Sequence, residues 1–272
     1  MHLVPLLMYA AAAATYMAHF AWRDARVGRL ATALLGGGLL AHTFVIGMHS
    51  VQAGHAPLVG TSAAISAFVW LLGLAYLYIE LTTDERSMGV FVAVIMVVLY
   101  IIPALDPTVT PRPPILQSPL FTLHVMSTLL AYASFALAFV LGITYVLLFK
   151  EIKAKHLRFF YTRLPSLQIL DVMNGRAVTV GWVFLTLGVA IGGIWASQLH
   201  ASPDPRAQAM SFADPKILVA MFCWGVYSFA LFARRVIGWS GRRAAYLSAL
   251  AFVLVLLNFV PVGFFLTRSH NF

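Results

Sequence analysis

Histidine is the residue type in this sequence that offers the most chemistry. The chain has nine histidines and one cysteine, Cys223, among 272 residues. Imidazole changes its charge near neutral pH and is a common metal ligand, whereas one cysteine excludes an internal disulfide and any CxxC thiol or zinc chemistry. The sequence has no Ser-His-Asp set, no phosphate-binding loop and no paired intramembrane carboxylates. No catalytic constellation therefore stands beside the histidines.

The elements that position these histidines are membrane helices. The chain is 61% hydrophobic and 10% charged, whereas soluble domains carry about a quarter of charged residues. The sequence predicts an all-α, polytopic membrane protein with eight transmembrane helices in a single integral membrane domain, residues 1–272. Each apolar run is long enough, or nearly so, to cross about 30 Å of hydrocarbon; the runs fall at about 3–21, 28–48, 60–81, 87–104, 119–149, 176–197, 214–233 and 244–266.

The distribution of basic residues predicts the orientation of these helices. Fourteen of the 18 lysines and arginines fall in the connections on one side, including 150–175, and four fall on the other side. Because cytoplasmic connections are enriched in Lys and Arg, the richer side is expected to be cytoplasmic. Both termini then face the outer, periplasmic side of the inner (plasma) membrane. The net charge of +9 therefore reflects the orientation of a chain that lies in a lipid bilayer, and we do not interpret it as evidence for nucleic-acid binding.

On this topology most histidines collect at the outer surface. His19 and His42 are the buried ones, and core hydrogen bonds account for them adequately. Six are expected at or near the outer side: His2, His49, His55, His124, His200 and His270. His124 lies one turn inside the outer end of the fifth helix, and His270 just past the outer end of the eighth. Two neutral imidazoles that face one another across a cavity can bind haem iron from both sides. Taken singly, each outer histidine is better explained as a side chain that hydrogen-bonds a backbone carbonyl or interfacial water.

The predicted outer loop after the sixth helix offers aromatic surface and a few cations. Trp195 lies just before this loop, near the end of the sixth helix, and Asp214-Pro215 is a sound helix start, with Asp as N-cap and Pro as first residue. The outer face has only four cations, Arg112, Arg206, Lys216 and Arg268. A planar anionic ligand would use aromatic walls and such cations. Ordinary aromatic belting at the membrane interface explains the same residues.

These motifs resemble the CcsA/CcmC/ResC family of haem-handling membrane proteins, the cytochrome c assembly family. Residues 54–58, GHAPL, followed by Trp70, resemble the GHxPL segment of the family. PLFTLHVMSTLLAYASFALA at 119–138 resembles the helix that carries the first external histidine, here His124. RAVTVGWVFLTLGVAIGGIWA, residues 176–196, resembles the helix before the tryptophan-rich loop, and ADPK at 213–216 the end of that loop. GWSGRR at 238–243 is similar to a basic turn, and His270 falls on the second external histidine.

The resemblance implies a haem-binding protein of cytochrome c biogenesis. His124 and His270 would be the axial ligands of a b-type haem, bound stably or in transit at the outer face. The other cofactor-binding residues would be Trp195, Asp214, Pro215, Lys216, His55 and Arg268. The implied partners are an apocytochrome c and a membrane partner protein. In a haem lyase or synthase system, this chain would orient the haem and supply no nucleophile.

The sequence departs from the family pattern, and this keeps other interpretations open. Residues 207–215 read AQAMSFADP where the family has WGxxWxWDP, and Phe232 stands at a histidine within helix 7 of the family. The degenerate pattern also resembles the HemX and YpjD branch. The alternative function is a non-enzymatic HemX-like regulator of haem synthesis, or a structural subunit of a larger membrane complex. A transporter is the weakest hypothesis, because Asp and Glu are all expected at or near loops.

Overall fold

A computed structural model describes residues 2–106, 116–155, 159–200 and 215–257. All regular structure within these ranges is helical, as predicted. The helices are α1 Leu3–Trp22, α2 Ala25–Ala53, α3 Thr61–Thr83, α4 Gly89–Leu105, α5 Pro119–Lys153, α6 Phe159–Arg163, α7 Leu167–His200, α8 Pro215–Phe232 and α9 Arg242–Leu257; a π-helical turn, Ala233–Ile237, continues α8.

Short polar residues and glycine fix several helix ends. The Asp24 carboxylate accepts hydrogen bonds from the backbone N–H groups of Arg26 and Val27, which caps α2 two residues after α1 ends. Ser118 caps α5, and Pro119 is the first helical residue. Gly54, from the GHAPL segment, ends α2 with φ +71°, a left-handed conformation that glycine adopts without steric cost.

The predicted boundaries fit α4 closely and α7 poorly. The fourth run was predicted to end at 104, and α4 ends at Leu105, with Pro103 in its last turn; Asp106 N–H closes that turn on the Ile102 carbonyl at 3.0 Å. The connection predicted over 150–175 is shorter, because α7 begins at Leu167 and not near 176. The added turns carry Asp171 and Asn174, whose polar groups are paired inside the protein. A hydropathy pattern does not detect such pairing.

Six helices are long and apolar enough to cross a membrane by length and composition, within the described part of the chain. α4 is a shorter apolar helix of 17 residues, and the described part of α9 has 16. The helices expose large apolar side chains; Leu7, Leu40 and Leu250 are 66%, 74% and 66% exposed. Such faces suit a lipid environment. Eight spans, outward termini and one domain over 1–272 stay predictions.

The helices pack as two groups that meet at α3 and α5. In the first group α1 packs along α2 and α4, and α3 packs on α4. In the second group α7 lies along α5, which also contacts α9. The second group carries an ion pair between Arg234 and Asp171, with Nη2–Oδ2 at 2.7 Å, and Asn174 donates to the Ala138 carbonyl and to Ser248 Oγ. These interactions give partners to polar groups that would find none in lipid.

Candidate functional site

His124 is held near the beginning of α5 by contacts with α7. Its Nδ1 lies 2.8 Å from the backbone carbonyl oxygen of Gly188. A carbonyl can only accept, so Nδ1 carries the proton and Nε2 carries the lone pair of the neutral imidazole. Metal-binding histidines are commonly oriented in this way, with the other ring nitrogen donating to a carbonyl or carboxylate. In this tautomer Nε2 is the ring nitrogen that a metal ion would bind.

Two glycines of α7 let α5 approach closely beside His124. Gly188 and Gly192 are four residues apart and share one face of the helix. A Cβ atom at Gly192 would lie 2.6 Å from His124 Nδ1, and one at Gly188 would lie 2.7 Å from Thr128 Oγ1. Both distances are far below ordinary contact, so only glycine lets α5 approach α7 this closely.

Trp195 forms an aromatic wall beside His124. Its ring is stacked on the imidazole at a centroid distance of 6.5 Å and an angle of 25°, and it lies 5.2 Å from the Phe121 ring. Trp195 is 5% exposed and packs in an apolar cluster with Phe121, Val59 and Leu116. Its indole Nε1 has no hydrogen-bond partner among the described residues. A buried donor of this kind is costly unless a ligand or another part of the chain accepts from it.

The other predicted site residues fall in three groups. His55 follows the end of α2, with Nδ1 3.2 Å from the Ala56 carbonyl oxygen, and its turn reaches the Trp195 cluster through Val59. Pro215 is the first residue of α8, as predicted, and Lys216 lies in its first turn. His270, Asp214 and Arg268 lie outside the described residues. The pairing of His124 with His270 thus stays a prediction.

The tryptophan of α8 has a packing role. Trp224 Nε1 donates to Thr186 Oγ1 at 2.9 Å, and Trp182 of α7 donates in return to Ser228 Oγ at 2.7 Å. These bonds join α7 to α8.

Sequence reasoning missed a carboxylate buried within the first helix group. Glu80, near the end of α3, is fully buried, and its two oxygens accept from Tyr16 and Thr32. Because Glu80 is only three residues from the end of α3, the sequence placed it at or near a loop. Of the two histidines expected to be buried, His42 is fully buried, with hydrogen bonds to Tyr9 and Ser66, whereas His19 is only half-buried.

No three His, Cys, Asp or Glu side chains come together as a metal site within the ranges that the structure describes. A metal held at His124 would need further ligands from a bound molecule or from elsewhere in the chain.

Comparison with known proteins identifies relatives over most of the chain. The family model for cytochrome C assembly protein matches residues 58–270. The chain is similar to the cytochrome c biogenesis protein CcsA of Guillardia theta, with 27% identity over 250 residues that cover 85% of this chain and 81% of the relative. CcsA of Trieres chinensis is 26% identical (84% and 81% covered), and CcsA of Chlorella vulgaris is 25% identical (87% and 84% covered). The resemblance seen in the motifs is confirmed.

Proposed function

The chain belongs to the cytochrome c assembly protein family, and from this premise we propose that it is a haem-binding membrane protein of cytochrome c biogenesis. It holds haem at the outer face of the plasma membrane, between His124 and His270. The relatives, named cytochrome c biogenesis protein CcsA, align over more than four-fifths of the chain and support this assignment.

The observation that carries the proposal is the hydrogen bond between His124 Nδ1 and the Gly188 carbonyl. It leaves Nε2 as the basic nitrogen and fixes the direction of the ring. His19 makes the same kind of bond to the Asp24 carbonyl, so what distinguishes His124 is this bond together with the aromatic wall of Trp195. With a second imidazole from His270, the iron would be six-coordinate and low-spin.

The surrounding residues suit a planar, anionic ligand. Trp195 and Phe121 provide an apolar aromatic wall beside His124, and the unpartnered Trp195 N–H can donate to a propionate or to a carbonyl of the chain. Lys216 and Arg268 supply cations for the carboxylates. The haem, when bound, brings the iron and the vinyl groups to be joined to an apocytochrome c. This chain binds, orients and shields it, together with a membrane partner protein.

Visible spectra of haem-loaded protein in detergent test the proposal. The parent should carry low-spin haem in its oxidised and reduced states, and His124→Ala and His270→Ala should each lose the low-spin bands. His19→Ala is the matched control, since His19 Nδ1 also lies 2.8 Å from a backbone carbonyl, that of Asp24. His124→Met should retain haem and raise its reduction potential. A parent that takes up no haem would contradict the proposal and favour the HemX-like regulator or structural subunit.

A further inference from the structure

A cavity of about 190 Å³ lies in the first helix group, beside the turn that joins α2 to α3. Its walls are mainly apolar and come from α2, α3, α4 and α5, with His2 at the beginning of α1. α5 lines it with Thr122 and Met126. His124 is separated from Thr122 by two positions, or about 200° around the helix, and contacts α7 instead. The cavity is therefore distinct from the His124 site.

Two histidines provide the polar end of this cavity. The Nε2 atoms of His2 and His49 are 3.1 Å apart, and both residues line the cavity. The hydroxyl of Tyr100 extends this series of hydrogen bonds, since it lies 3.5 Å from His2 Nδ1. Burial, and secondarily the neighbouring His49, lowers the pKa of His2. A neutral pair of imidazoles can donate one hydrogen bond and accept another.

A second hydrogen-bonded chain begins at Ser66, which also lines the cavity. Its Oγ lies 2.8 Å from His42 Nε2, and His42 Nδ1 lies 3.0 Å from the Tyr9 hydroxyl. The His42 and Tyr100 rings are in contact, with centroids 4.5 Å apart. Every group in these two hydrogen-bonded series can both donate and accept a hydrogen bond. An apolar cavity in a membrane protein does not need such walls to hold lipid chains alone.

We propose that this cavity binds the head group of a quinone or quinol, with one ring oxygen hydrogen-bonded to the His2–His49 pair. Three features agree on this class of ligand. An engineered cavity of about 150 Å³ accommodates benzene, so this cavity fits one substituted six-membered ring and is too small for a four-ring macrocycle. Its apolar walls suit a ligand that arrives from the bilayer. The histidines can donate to a quinone carbonyl or accept from a quinol hydroxyl.

Binding of decylubiquinone to the purified, detergent-solubilised protein tests this proposal. Ala63→Phe fills the cavity and leaves both histidines intact, and His49→Ala removes a hydrogen-bond partner and leaves the cavity open. Loss of one hydrogen bond of about 1 kcal/mol weakens binding by about fivefold. We expect at least that loss in each variant, measured by calorimetric titration against a detergent blank.

Matched controls separate the site from the membrane surface and from the haem proposal. Val51→Phe adds the same aromatic ring at a residue that is 80% exposed, and His19→Ala removes a histidine far from the cavity; both should bind like the parent. Ala63→Phe should still load haem with the parent spectrum, so the two proposals can fail separately. A parent that binds no decylubiquinone, or Ala63→Phe that binds it like the parent, would overturn this inference.

Discussion

Replacement of Gly192 by alanine tests whether His124 must be held where α7 holds it. The added methyl group would lie 2.6 Å from His124 Nδ1 and 2.7 Å from Cε1, whereas ordinary contact begins at 3.4 Å. The ring would have to retreat by roughly 0.8 Å, the difference between these two distances. Such a shift strains the 2.8 Å hydrogen bond to the Gly188 carbonyl.

The size of the effect follows from the cost of overpacking. Inserting a methyl group into a well-packed site costs about 1–3 kcal/mol, and functional ligands must stay within about 0.5 Å of their productive position. If this cost falls on the haem-bound state, the haem dissociation constant rises by about 5- to 150-fold. The low-spin bands should weaken together with the affinity, since the ring that supplies one ligand has moved.

Gly193→Ala is the control, because a Cβ atom there meets nothing within 4 Å. Both substitutions add one methyl group to α7 and raise helix propensity equally. Haem is titrated into both detergent-solubilised variants, and the dissociation constants and spectra are compared with those of the parent. Equal affinities and spectra for Gly192→Ala and Gly193→Ala would refute the positioning role of α7.

Three further predictions concern topology and buried polar groups. A cysteine at exposed Gln52 should react with an impermeant maleimide added to spheroplasts, and a cysteine at exposed Ser166 should not react. The distribution of basic residues predicts that Gln52 faces the outer side and Ser166 the cytoplasm; the reverse labelling would show that the topology is inverted. Arg234→Ala should lower the free energy of unfolding by about 2 kcal/mol, because the Asp171 side chain, which is 18% exposed, loses its charged hydrogen-bond partner; a loss below about 1 kcal/mol in mixed-micelle unfolding would contradict this. Glu80→Ala should destabilise the protein more than Glu80→Gln, which still accepts one hydrogen bond; thermal unfolding in the opposite order would be inconsistent with the buried carboxylate.

Hydrophobic runs were sufficient to predict the described helices except the short α6, which lies in the predicted connection 150–175. Runs of about 20 apolar residues have few alternatives to a helix, because each backbone group must be satisfied within the segment. The ends were harder to predict where a helix carries paired polar residues. α7 begins nine residues before the predicted position 176, since Asp171 pairs with Arg234 and Asn174 with Ala138 and Ser248.

The candidate site was predictable in part. His124 was predicted from the family motif and from its position one turn inside the outer end of its helix. The roles of Gly188 and Gly192 depend on how α5 packs against α7, which no local sequence pattern specifies. The contact between His2 and His49 could have been predicted from the sequence. α1 and α2 are antiparallel and joined by two residues, so the residue numbers of two facing positions add up to a constant. This sum is 51 for His2 with His49 and also for Tyr9 with His42.

Pulsed electron paramagnetic resonance on protein labelled with ¹⁵N-histidine tests the central claim most directly. In the oxidised, haem-loaded parent, two axial imidazole nitrogens should couple to low-spin iron. His124→Met should retain the coupling from one, and His19→Ala should retain both. Haem that binds the parent with no histidine nitrogen coupled to its iron, or a His124→Met spectrum that still shows two, would contradict the account.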